Sequence, residues 1–114
     1  MATKNYTVSE PPGGNLAYLW QSLANGDDGQ VAEHTGSGDR TMAVSGTFGV
    51  GGTVVLEGSI DRINWYTLRD PQGNNLSFTA AGMRAVLENV PYIRPRVTAG
   101  DGTTALLPQL NVRR

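Results

Sequence analysis

The chain has 114 residues, enough for one domain, and its formal net charge is −1 at pH 7. With so little net charge, we expect it to bind neither nucleic acid nor a membrane surface. Cysteine is absent from the sequence, which excludes disulfides, thiolate metal sites and cysteine nucleophiles. Fifteen glycines and six prolines predict that turns occupy much of the chain.

The first fifteen residues show no apolar periodicity and end in Pro11-Pro12-Gly13-Gly14, which can neither continue a helix nor donate regularly to a sheet. We therefore predict an extended N-terminal arm over residues 1–15, followed by a folded domain over residues 16–114. The proline pair stiffens the arm and lowers the entropy lost on docking. We expect the arm to order against a neighbouring protein surface. Its candidate contact residues are Tyr6, Val8, Pro11 and Pro12.

Alternating apolar and polar residues predict β-strands after the arm. Residues 16–23 form the first predicted strand, and a polar, glycine-rich loop follows over residues 30–39. Residues 41–48 and 54–60 both alternate, and the glycines between them have the composition of a tight reversal. We predict that these two strands pair as a hairpin. With the aromatic run at 65–68, they would make a three-stranded meander.

Residues 78–90 are ambiguous, because they fit both a helical stripe and a strand alternation. We favour a strand, since every neighbouring segment is a strand. Two more alternating runs, 93–97 and 106–112, complete the pattern, with Arg94 and Arg96 pointing away from the apolar face of the first run. Strands that recur about every ten residues between glycine turns predict an all-β fold, a single β-sandwich or jelly-roll-like domain.

The candidate catalytic groups are sparse. His34 is the single histidine of the sequence and lies in the polar loop, whereas a metal site needs several convergent ligands. The aspartates, among them Asp61, Asp70 and Asp101, lie in predicted turns, where a carboxylate accepts hydrogen bonds from nearby backbone N–H groups. We therefore expect no enzymatic activity, no catalytic residues, no metal and no cofactor.

Arg94 and Arg96 are further candidate interface residues, because the planar guanidinium group suits paired contacts with a neighbouring subunit. The aromatic residues Trp20, Trp65 and Tyr66 allow a different reading, in which flat rings on one face stack on sugars. Core packing of the two tryptophans is the competing explanation. Exposure of aromatic rings on one face of the sandwich would distinguish the two.

Several short segments resemble small virion proteins of tailed bacteriophages, of the β-sandwich type that decorates (cements) phage heads. The likeness covers about residues 16–112 and is a pattern of many short matches. Residues 58–65 also resemble a Gly-Ser-x-Asp-Gly-x-Asn-Trp hairpin found in such sandwiches and in discoidin-like sugar-binding domains, with Arg62 where glycine is usual. The segments that carry the first likeness are GTFG at 46–49, VVLEGS at 54–59, NWYTL at 64–68, DPQG at 70–73 and YIRPRVT at 92–98.

The resemblance implies a structural role. We expect a capsid decoration protein that is made in the host cytoplasm and binds the outer surface of the phage head. It implies the major capsid protein as partner and self-association of the chain, with a trimer favoured. The alternative is a carbohydrate-binding module of a phage tail or adhesin.

Overall fold

A computed structural model describes residues 2–33 and 38–113. These residues form eleven β-strands, and none of them belongs to a helix. The described part of the chain therefore holds no helix long and apolar enough to cross a membrane. The strands are β1 (Thr3–Lys4), β2 (Tyr6–Ser9), β3 (Asn15–Trp20), β4 (Asp28–Gly29), β5 (Arg40–Thr47), β6 (Thr53–Ser59), β7 (Tyr66–Thr67), β8 (Ser77–Phe78), β9 (Gly82–Ala85), β10 (Tyr92–Ala99) and β11 (Ala105–Arg113).

The strands build two sheets that pack face to face. Sheet A has the order β1-β4-β10-β6-β7, and the short β8 also pairs with β6. Sheet B has the order β2-β3-β11-β5-β9. Neighbouring strands are antiparallel except β1 and β4, which are parallel. The predicted fold class is confirmed, because the chain is all-β and forms a single sandwich of the jelly-roll type with an extended N-terminal arm.

The core lies between the sheets and is centred on Trp20. This indole is fully buried, and its Nε1 donates to the carbonyl of Gln30 at 3.0 Å. A Cβ atom at Gly29 of sheet A would lie 2.6 Å from the Trp20 ring, so the ring occupies the space of the missing side chain. The alternating inward residues of the long strands surround it, as the sequence predicts. The fully buried members include Met42, Val54, Leu56, Ile93, Val97, Leu106, Leu110 and Val112.

The predicted hairpin between the strands at 41–48 and 54–60 is wrong. β5 belongs to sheet B and β6 to sheet A, so the glycine-rich segment 48–52 carries the chain from one sheet to the other. Crossing places the apolar faces of the two strands opposite each other across the core, whereas a hairpin would place them side by side. The predicted meander fails with it, although β6 does pair with β7.

A second crossing, from β10 to β11 over residues 100–104, lies beside the first. The Asp101 carboxylate accepts hydrogen bonds from the backbone N–H of Val50 at 2.9 Å and of Thr103 at 2.8 Å. The Thr104 hydroxyl donates to the Phe48 carbonyl at 2.8 Å. These contacts tie the two crossings together at one end of the sandwich. The hydrogen bonds that Asp101 accepts, above all the bond from the Thr103 hydroxyl, lower the pKa of this carboxyl to about 2.

The N-terminal arm is extended, and it docks on its own chain. β1 pairs with β4 in sheet A and β2 pairs with β3 in sheet B, so Asn5 lies at the step between the two sheets. The Tyr6 ring contacts the rings of Tyr18 and Trp20 edge-on, with centroids 4.9 and 5.8 Å apart. Both strands of the arm thus pair within the chain, and the expectation that the arm also orders against a neighbouring protein surface stays a prediction.

Residues 78–90 contain one short strand, β9, between irregular segments. The helical alternative is wrong, because no residue in this range is helical and Gly82–Ala85 pair with β5 as an antiparallel strand. The predicted strand at 65–68 is real but shorter, since β7 spans two residues.

Two glycines of the first crossing provide a matched test of this packing. Gly49 and Gly51 both have φ of +71°, but a Cβ at Gly49 would collide with the Asp101 carboxylate, whereas a Cβ at Gly51 meets open space. We expect Gly51→Ala to lower the free energy of unfolding by about 1–2 kcal/mol, the cost of a left-handed alanine. Gly49→Ala should lower it clearly more, because Asp101 must also move.

Urea unfolding of both variants and the wild type measures the difference. Equal losses in the two variants would contradict a tight contact between the crossings.

Candidate functional site

A groove of about 550 Å³ lies beside β7 at the edge of sheet A. Its volume falls within the range of ligand-binding clefts. Chain segments on three sides form it: the end of β6 with the loop after it, β7 with the residues that follow, and the segment before β10. The lining residues are Gly58, Ser59, Ile60, Asp61, Asn64, Tyr66, Thr67, Leu68, Arg69, Asn75, Glu88 and Val90.

Leu68 and Val90 supply part of the apolar lining of the groove, and they close around Gly58. A Cβ atom at Gly58 would lie 2.7 Å from a methyl group of each neighbour, so no larger residue fits there. Leu68 is buried in the core, which fixes the position of this surface relative to the sandwich.

The loop over residues 59–64 forms one wall and is ordered by Asp61. Its carboxylate accepts hydrogen bonds from the backbone N–H groups of Asn64 and Ile63, each at 2.9 Å, and from the Asn64 amide. These bonds hold the pKa of Asp61 far below its ordinary value, and the bond from the Asn64 backbone has the largest effect. Arg62 has φ of +64°, which explains why glycine is usual at this position. Its guanidinium is anchored by Glu33, at 3.0 Å, and lies over the Tyr92 ring.

Arg69 and Glu88 form the opposite wall. The Glu88 carboxylate accepts from the Arg69 backbone N–H at 2.7 Å and from its Nε at 2.9 Å. Burial by itself raises the pKa of Glu88, but the hydrogen bonds from Arg69 outweigh it and the pKa lies below the ordinary value. The two carboxylates of the groove, Asp61 and Glu88, are therefore both ionised at neutral pH and both held by donors.

Three exposed apolar side chains project from this region, and we call them the loop patch: Ile60, Ile63 and Tyr66. Ile60 and Ile63 are each 78% exposed and Tyr66 is 70% exposed. All three lie on the loop after β6 or on β7, next to polar groups of the groove wall. An apolar cluster with a polar rim is the usual composition of a surface that binds another molecule.

The structure places the predicted pair Arg94 and Arg96 on the outer face of sheet A, away from this groove. Both guanidinium groups bond to the buried carboxylate of Glu57, each through Nε at 3.1 Å. Arg94 also lies over the Trp65 ring, 4.1 Å from its centroid. The two arginines are thus engaged within the chain, although the Arg96 side chain remains 45% exposed.

The predicted arm residues are not brought together as one surface. Tyr6 is half-buried against the core, Val8 is 51% exposed at the edge of sheet B, and Pro12 accepts a hydrogen bond from the Asn15 amide. Pro11 lines a shallow depression on the outer face of sheet B. His34 lies outside the described residues. Within the described ranges, no group of three or more histidine or acidic side chains converges as a metal site.

We did not predict the groove from the sequence, because its walls come from segments about thirty residues apart and no local pattern connects them. One available signal was the run Ile60-Asp61-Arg62-Ile63, in which two isoleucines flank turn residues. Large apolar residues in a tight turn have little chance of burial. Trp20 is buried in the core, as the core-packing explanation predicts for it. Tyr66 is exposed beside the groove.

No family model matches the chain, and no curated protein matches it. A solved structure from Silicibacter pomeroyi, described as a sugar phosphate isomerase from a cupin superfamily, is similar to it with a TM-score of 0.46 and 15% sequence identity. The match covers 89% of this chain and 52% of that chain, so this chain spans about half the length of the neighbour.

The neighbour corrects one expectation from the sequence. It is an enzyme, and our expectation that the chain is not an enzyme is withdrawn, because a protein of similar architecture is described as an isomerase. At this identity and TM-score, the likeness assigns no reaction and no substrate to this chain.

The hydrogen bonds of Asp61 predict a pH-dependent contribution to stability. Because folding lowers the pKa of Asp61 below its ordinary value of 3.8, the carboxylate stabilises the fold above that pH, and the contribution is lost as the pH falls further. We expect Asp61→Asn to melt at a lower temperature than wild type at pH 7. The difference between the two should shrink on acidification to pH ~2.

Thermal melts of both proteins at pH 7, 4 and 2 measure this difference. A difference that stays constant over the whole range would contradict the assigned role of Asp61.

Proposed function

We propose that the chain is a virion structural protein of a tailed bacteriophage, a decoration protein that binds the outer surface of the head. The observation that carries the proposal is the loop patch, in which two isoleucines and a tyrosine are exposed together. Isolated exposed apolar residues are common in soluble proteins, but a cluster rimmed by charged and amide groups is typical of an interaction surface.

The chemistry of the patch favours a protein partner. Ile60 and Ile63 are aliphatic, so they gain from burial against another apolar surface but offer no flat ring for a sugar. Tyr66 adds a rigid aromatic side chain of the kind enriched in protein interfaces. Arg69 and Glu88 supply a polar rim for directional contacts. Segment 64–68, which carries part of the resemblance to virion proteins, helps to build this surface. Segment 58–65 builds the rest, and its hairpin resembles both such sandwiches and discoidin-like sugar-binding domains.

In this proposal the loop patch binds the major capsid protein. Burial of apolar surface contributes roughly 25 cal/mol per Å², much of which is offset by the entropy lost on association. One copy would therefore bind modestly. Many copies on a closed shell add their contributions, and each copy that bridges two capsid subunits stabilises the joint between them.

A pelleting experiment with capsids that lack the decoration layer tests the proposal. We expect the double variant Ile60→Asp, Ile63→Asp to be retained about tenfold less than wild type, because two charges would have to be buried at the contact. Val50→Asp is the matched control, since Val50 is 81% exposed on a loop at the crossings of the sandwich. Equal retention of wild type and double variant would overturn the proposal.

The groove also favours a second candidate, a carbohydrate-binding module. Its volume of about 550 Å³ suits one or two sugar rings, and Tyr66 stands exposed beside the amides of Asn64 and Asn75. Amide and carboxylate groups next to an aromatic ring can bond to sugar hydroxyl groups while the ring stacks on the apolar face of the sugar.

Titration with oligosaccharides from host cell walls distinguishes the two candidates. If the groove binds sugar, tryptophan fluorescence or calorimetry should detect saturable binding that Tyr66→Ala weakens about tenfold or more. Val50→Ala is the control, because Val50 is 81% exposed at the crossings and lies outside the groove lining. Absence of binding at millimolar sugar would exclude this candidate.

A further inference from the structure

The two outer faces of the sandwich differ in charge. Sheet A carries an ion-paired network, in which Glu57 bonds to Arg94 and Arg96, and Asp28 lies 3.7 Å from Arg94. Such a network is well suited to contact with water. The outer face of sheet B has a different composition.

Two complete rows of side chains cross the outer face of sheet B, one residue from each of its five strands. All ten residues are uncharged, and six of them are alanine, serine or threonine, which have short side chains. The first row is Thr7, Leu19, Gln109, Ala43 and Met83, and the second is Ser9, Ala17, Asn111, Thr41 and Ala85.

The face carries both a projection and a recess. Met83 is 70% exposed, and its unbranched, adaptable side chain stands at one end of the first row. The same side chain forms part of the wall of a depression of about 150 Å³, which Ala17, Ala43, Gln109 and Pro11 also line. In a contact between identical copies about a two-fold axis, the projecting Met83 of each copy can meet the depression of the other.

We propose that the outer face of sheet B binds a second copy of this chain in an isologous contact, with Met83 of each copy seated in the depression of the other. The inference goes beyond the proposed function and does not depend on the loop patch. Because the ten residues of the two rows are uncharged, contact between these rows brings no like charges together, and the amides of Gln109 and Asn111 can bond across it.

The available area lies at the lower limit for a weak dimer. Strands spaced ~4.8 Å apart make the five-stranded face about 24 Å wide, and the central strands extend it over about 22 Å, giving a flat area of roughly 500 Å². The relief of the side chains adds to this. Specific interfaces at the small end of the range bury about 600 Å² on each partner. We therefore expect reversible, concentration-dependent association.

Sedimentation velocity over a concentration series tests the inference with the complete chain. The wild type should shift from monomer to dimer, and Ala43→Glu should weaken the association at least about tenfold, because it places a charge at the centre of the face. Thr98→Glu is the matched control, since it adds the same charge at an exposed position of β10 in sheet A. This control should associate as the wild type does.

Met83→Ala is the second variant, because truncation of an exposed side chain leaves the fold intact even if Ala43→Glu does not. It should weaken association about tenfold, with an unchanged thermal melt. A wild type that is monomeric at millimolar concentration overturns the inference, as does a trimer or a dimer that is insensitive to both changes. Loss of capsid retention in Ala43→Glu without any self-association would overturn it too and assign the face to the capsid.

Discussion

The Trp20 indole of sheet B fills the space that Gly29 leaves in sheet A, and the remaining core is arranged around this contact. The ring reaches across the interior and donates to the Gln30 carbonyl, so one side chain sets both the separation of the sheets and the position of the β4 region. The arm then covers the same ring with Tyr6. A smaller residue at position 20 would leave a cavity that touches both sheets, and cavities of that kind carry a large loss of stability.

The sheet crossings determine which surfaces are left free. Since β5 leads to β6 and β10 leads to β11 across the sandwich, the two crossings meet at one end and are tied together by Asp101. Beside β6, sheet A ends in the short strands β7 and β8 instead of one long strand, and the groove occupies this broken edge. The outer faces are then free to differ, one carrying ion pairs and the other uncharged rows.

Local patterns predicted what depends on neighbouring residues. Alternation located the long strands, and the turn at Asp70-Pro71-Gln72-Gly73 is present, with the Gly73 N–H donating to the Asp70 carbonyl at 2.9 Å. Alternation could not tell a hairpin from a crossing, because residues 49–52 have the glycines that either connection needs and both bury the same apolar faces. The walls of the groove were not predicted either, because Arg69 and Glu88 are distant in the sequence and meet only through tertiary packing.

The pairing of β3 with β11 has a consequence for how the chain folds. Asn15 lies opposite Arg113 in sheet B, so the central pair of that sheet joins residues from nearly opposite ends of the described chain. Sheet B cannot close until β11 is available to pair with both β3 and β5, and the facing edges of those two strands stay unpaired until then. Folds dominated by such distant pairings form slowly. We therefore expect folding in milliseconds to seconds, with chaperone capture competing for the unpaired strands.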